Sequence, residues 1–95
     1  MKLSAEEVTA HLADCPGWSA DGDSIARTYV LPTFADAIAF VTRLAFDAEA
    51  ADHHPGLQVN YRKVIVSWST HSAGGLTEKD FNGARQSDMI AMRFL

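Results

Sequence analysis

Ninety-five residues suffice for one hydrophobic core and not for two. With 47% hydrophobic and 21% charged residues, the composition is far from that of disordered segments. Eight Lys and Arg against twelve Asp and Glu give a formal net charge of -4 with no run of five like charges, so no basic face for a phosphate backbone, and no direct nucleic-acid partner, is expected.

No apolar run approaches the roughly 20 residues that cross a bilayer, which argues against a membrane partner. Met1 to Glu7 turns acidic before the apolar core of a signal peptide develops. The lone Cys15 cannot close an internal disulfide, in keeping with a reducing compartment. A cytoplasmic location is expected.

Ser4 and Glu7 form the capping-box pattern, in which hydroxyl and carboxylate each take an orphan amide at a helix start. They predict an amphipathic helix from Ala5 to about Ala13, with Ala5, Val8 and Leu12 on one face and His11 solvated. Cys15-Pro16-Gly17 ends it. Trp18 to Ala20 and Ser24 to Leu31 flank the turn signal Asp21-Gly22-Asp23 and read as a hairpin. In its second arm Ile25, Arg27 and Tyr29 share one face, and Pro32 stops the strand.

Thr33 and Asp36 open the longest helix, Phe34 to Ala51. Phe34, Ala37, Ile38, Val41, Leu44, Ala45 and Ala48 recur at threes and fours, a wide apolar stripe that must lie on a sheet. Phe40 and Phe46 fall off that stripe and read either as a second packing surface, such as a subunit contact, or as isolated exposed aromatics.

Pro55-Gly56 breaks the helix. Leu57 to Asn60 and Lys63 to Thr70 then read as strands joined through Tyr61-Arg62. Val64, Val66, Trp68 and Thr70 share one face of the second strand, which is expected to carry His71 at its end. After the loop Ala73-Gly74-Gly75, Thr77 with Asp80 caps a last helix through Phe81, Ala84 and Ile90 to about Met92. The order α-β-β-α-β-β-α predicts a single α+β domain over residues 1–95, with three helices on one face of a four-stranded, mostly antiparallel sheet.

Chemistry concentrates in Glu49-Ala50-Ala51-Asp52-His53-His54-Pro55 and in Ser69-Thr70-His71, which hold three of the four histidines. Imidazole titrates closest to neutrality, so grouping it with carboxylates points to proton handling or metal binding. Glu49 and His53, four apart, meet on one face if the helix persists that far, while Pro55 turns His54 toward extended backbone. Three readings stand on the residues alone. The first is a solvated helix end whose histidines complement the dipole. The second is a metal site of three imidazoles with Glu49, Asp52 or Asp80, although no HExxH or paired-Cys spacing is present. The third is a metal-free acid-base pocket.

Taken together, Glu49-x-x-x-His53-His54-Pro55, Tyr61, Ser69-Thr70-His71, Gly74-Gly75-Leu76-Thr77 and Asp80 resemble the signature of the pterin-4a-carbinolamine dehydratases. The resemblance implies removal of water from a 4a-hydroxytetrahydropterin to give the quinonoid dihydropterin, with neither metal nor organic cofactor. It implies that His53, His54 and His71 line the pterin pocket and move the protons, that Glu49 and Asp52 orient them, and that Asp80 supports the wall near His71. Pro55, Ser69 and Thr70 belong to the same motif. The resemblance also implies a homodimer or a dimer of dimers. It carries a second role, as some members act as dimerisation cofactors for a homeodomain transcription factor. Two departures stand out: Leu57 occupies the place where many members carry an aromatic, and Val59-Asn60-Tyr61 replaces the commoner Asn-Val-Tyr.

Overall fold

The computed structural model describes residues 1–95. Each long helix begins at a side chain that satisfies the amides its first turn leaves unpaired. At α1 (Ala5–Ala13) Ser4 Oγ accepts from the Glu7 amide at 3.1 Å while Glu7 Oε1 accepts from the Ser4 amide at 2.9 Å. Thr33 Oγ1 accepts from the Asp36 amide at 3.0 Å to open α2 (Phe34–Ala51), and Thr77 with Asp80 closes a second capping box at α3 (Glu78–Ala91). The helix bounds expected from capping and periodicity are therefore met.

The strands β1 (Ser19–Asp21), β2 (Ser24–Val30), β3 (Gly56–Asn60) and β4 (Lys63–Trp68) form one sheet in the order β1-β2-β4-β3, with every neighbouring pair antiparallel. Register places Ile25 opposite Trp68 and Tyr29 opposite Val64. Strand alternation then puts Ile25, Tyr29, Val64, Val66 and Trp68 on one buried face. Against it pack Ala37, Phe40, Leu44 and Ala48 of α2 and Phe81, Ala84, Ile90 and Ala91 of α3, one continuous apolar core. The α+β architecture and the element order are as the sequence predicts.

Three local expectations are corrected. Phe40 is fully buried, meeting Tyr29 edge-to-face at 4.9 Å, whereas Phe34 and Ile38 of the expected stripe are exposed. The stripe was wider than one packed face. Tyr29 and Phe94 lie on its Phe40 side, so the seam runs through Ala37, Phe40, Leu44 and Ala48. Phe46 does stay out, at 71% exposure. His11 is only half-exposed, stacking on Phe81 with ring centroids 4.8 Å apart. Finally, β4 ends at Trp68, and His71 opens a single 3-10 turn, His71–Ala73.

Candidate active site

The site begins where α2 stops. Asp52 adopts left-handed backbone, φ 51°, and its amide returns to the Glu49 carbonyl while that of His53 returns to Ala48. Such a residue satisfies the terminal carbonyls and reverses the chain. Glu49 and His53 consequently do not share a helix face. Instead His54, extended ahead of Pro55, meets Glu49, with Nε2 to Oε1 at 2.7 Å, and the pair is largely solvent-exposed. The expected Glu49–His53 pairing is thus corrected, because the helix ends two residues before His53.

His53 turns inward to a different carboxylate. Its Nε2 lies 2.7 Å from Oδ1 of Asp80, whose side chain is wholly buried in the first turn of α3. Oδ2 of Asp80 accepts from the Thr70 hydroxyl and from the Thr77 amide, both at 2.9 Å, and the two threonine hydroxyls lie 2.9 Å apart. Burying a carboxylate is costly unless both oxygens are supplied with donors, and here donors and the positive end of α3 converge on it. A carboxylate oxygen accepts, so the contact pairs an ionised Asp80 with the tautomer of His53 protonated at Nε2, which leaves Nδ1 for exchange. One face of the ring stacks on Trp68, centroids 5.2 Å apart and planes 22° from parallel.

His53 and Trp68 also wall a cavity of about 490 Å³ between α2 and α3, floored by Leu44, Ala48 and Ala51. Its polar positions are Asp47, Lys79, Asn82 and Gln86, of which Gln86 donates to Asp47 at 2.9 Å. A concave, mostly apolar space with a few convergent polar groups is what a small-molecule site requires.

Of the other expected site residues, Thr70 is buried in the Asp80 network, and Ser69, Pro55 and Leu57 are half-buried. Leu57, opposite Val66 on β3, packs against the core. Asp52 is an exposed helix cap, and His71 is exposed beside Thr70. His54 and His71 are not among the cavity's lining residues, so the three imidazoles do not converge there. No three His, Cys, Asp or Glu side chains are grouped so as to hold a metal ion. Sequence reasoning missed Trp68 as the wall of His53, and Lys79, Asn82, Gly83 and Gln86 as a cavity face. The helical spacing of those four on α3 was the signal available.

A family model described as pterin 4 alpha carbinolamine dehydratase matches residues 1–90. A protein of Roseiflexus sp. (strain RS-1), provisionally named a pterin-4-alpha-carbinolamine dehydratase, is 51% identical over 89 residues, covering 94% of this chain and 96% of its own. One from Nocardia farcinica with the same provisional name is 47% identical, covering 94% of each chain. A crystal structure from Brucella melitensis, described as a transcriptional coactivator/pterin dehydratase, superposes with a TM-score of 0.91 at 35% identity, covering 96% of this chain and 99% of that one. This chain belongs to the pterin-4a-carbinolamine dehydratase family. The fold alone is shared, at 19% identity and a TM-score of 0.64, by a pterin dehydratase-like protein described as a RuBisCO assembly factor in the alpha-carboxysome; the match covers 78% of this chain and 86% of that one.

Proposed function

We propose that this protein dehydrates a 4a-hydroxytetrahydropterin to the quinonoid dihydropterin by histidine acid-base catalysis. The C4a–O bond breaks, the hydroxyl leaves as water after gaining a proton, and the N5 proton is removed. Hydroxide is a poor leaving group and an amine proton a reluctant one, so positioned proton transfer should contribute roughly 10²- to 10⁴-fold. The observation that carries this reading is His53, held through Nε2 by buried Asp80 on the wall of the cavity. A carboxylate hydrogen-bonded to one imidazole nitrogen in this way fixes the tautomer of the ring. His54, paired with Glu49, and His71, next to Thr70, lie outside the cavity lining and enter this proposal as further proton-transfer groups on the family resemblance.

Stopped-flow measurement of 4a-hydroxytetrahydropterin breakdown, with and without the protein, tests it. Clear acceleration is expected, unchanged by a chelator. No acceleration would transfer the weight to the other reading, a protein-binding cofactor, which the coactivator description of the Brucella melitensis structure favours.

A homodimer or dimer of dimers is proposed on the exposed apolar residues Phe34, Ile38 and Phe46 of α2 and on the β3 edge, which pairs only with β4. Unpaired strand edges and apolar patches are commonly covered by association. A monomeric mass in light scattering at micromolar concentration would overturn this. No helix is long and apolar enough to cross a membrane; a cytoplasmic role remains part of the proposal.

A further inference from the structure

A hydrogen bond at one ring nitrogen fixes a point of an imidazole and leaves the ring free to pivot. For His53 that remaining freedom is removed by the indole of Trp68, whose plane lies 22° from its own at 5.2 Å between centroids. Trp68 is itself immobilised. Its Nε1 donates to Ser87 Oγ at 3.1 Å, and the same hydroxyl donates to the Gly83 carbonyl at 2.7 Å, so one buried serine anchors the indole to α3.

Gly83 completes the arrangement. It lies inside α3, where glycine is the least favourable residue short of proline, and its φ is not positive, so its backbone freedom is not what is used. Its missing side chain is. A Cβ at this position would stand 2.6 Å from Cδ2 and Cε2 of the Trp68 ring, closer than real contacts allow. The helix therefore carries a glycine where the indole must approach its backbone.

We propose that Trp68 is a positioning residue for His53, with Gly83 and Ser87 as its seat on α3: the stacked indole keeps the imidazole in the orientation that leaves Nδ1 for the substrate. This rests on the acid-base reading of His53 above. The alternative is that Trp68, 3% exposed, only fills the core.

The test compares Trp68→Leu, Trp68→Phe and Ser87→Ala with the full wild-type chain in steady-state dehydration, thermal unfolding and long-range 1H-15N spectra of the imidazoles. Trp68→Leu removes the aromatic face and should lower kcat roughly five- to tenfold with KM within about twofold, the pattern of lost orientation rather than lost binding. Its His53 ring signals should shift and broaden as the imidazole samples several orientations about the Nε2 contact with Asp80. Trp68→Phe, which keeps a planar face, should restore both readouts to within about twofold of wild type. Ser87→Ala frees the indole without removing it and should give the same spectral change in milder form, which keeps the test decisive if the leucine variant does not fold.

Unchanged kcat and an unchanged His53 spectrum, alongside a lowered Tm, would overturn the proposal and leave Trp68 as core. If the wild-type protein does not accelerate dehydration, the acid-base reading fails, and the His53 spectra still decide whether Trp68 positions the ring.

Discussion

Nε2 of His53 and Oδ1 of Asp80, 27 positions apart in sequence, lie 2.7 Å from each other and tie the end of α2 to the first turn of α3. Asp80 is thereby both a helix cap and the partner of a candidate catalytic histidine. Asp80→Asn should separate these roles poorly, because an amide presents one acceptor and one donor where three donors converge. We expect a loss of about 1–3 kcal/mol in urea unfolding from unsatisfied buried groups. Dehydration should slow by roughly tenfold or more. An unaltered urea midpoint would show that the network is not satisfied as described.

His54→Ala and His71→Ala should each reduce the dehydration rate at least roughly tenfold. Both side chains are exposed, so unfolding free energies should stay within about 0.5 kcal/mol of wild type. Wild-type rates in both variants would remove these residues from the mechanism and leave His53 alone.

Phe40 and Phe46 lie on the same helix with opposite fates. Phe40→Ala empties a fully buried site and should cost about 3–5 kcal/mol. Phe46→Ala should change stability by no more than about 0.5 kcal/mol. A larger loss at Phe46 that scales with protein concentration would mark it as a subunit contact.

Burial, and then the hydrogen bond it donates to Asp88, raises the pKa of the Tyr29 phenol above its ordinary range. Arg27 and Trp18 donate to the same carboxylate. A group whose folded pKa is raised contributes its stability in full below the unfolded value, here about 10, and loses it as pH rises further. Unfolding free energy should therefore fall between about pH 10 and pH 12, and Tyr29→Phe should flatten that slope. An equal slope in the variant would place the alkaline titration elsewhere.

At the acid end, the Ser4 amide donating to Glu7, followed by the Ser4 hydroxyl, lowers the Glu7 pKa. The stability from a lowered carboxylate is present above its unfolded value, about 4.3, and is lost as pH falls through the folded one. Glu7→Ala should accordingly have a lower Tm than wild type near neutrality and the same Tm in acid. A difference that persists in acid would mean the capping carboxylate is not its source.

The chain itself announces its helices and strands, since Ser4 with Glu7, Thr33 with Asp36 and Thr77 with Asp80 act through hydrogen bonds only a few residues long. Alternation in Val64, Val66 and Trp68 marks the buried face of β4 for the same local reason. The candidate site is legible as a composite motif, although its wiring is not. Periodicity alone pairs Glu49 with His53, because it does not reveal that Asp52 takes a left-handed turn.

By sequence alone, then, the α+β order, the caps, the family resemblance and the candidate residues were determined, all of them set by short-range periodicity or motif. Tertiary packing decided which carboxylate holds His53, which face of α2 is inside, and that Trp68 and Gly83 meet beside the cavity. Those outcomes depend on where residues tens of positions apart arrive together, and on steric fits of less than an ångström, neither of which a local pattern encodes.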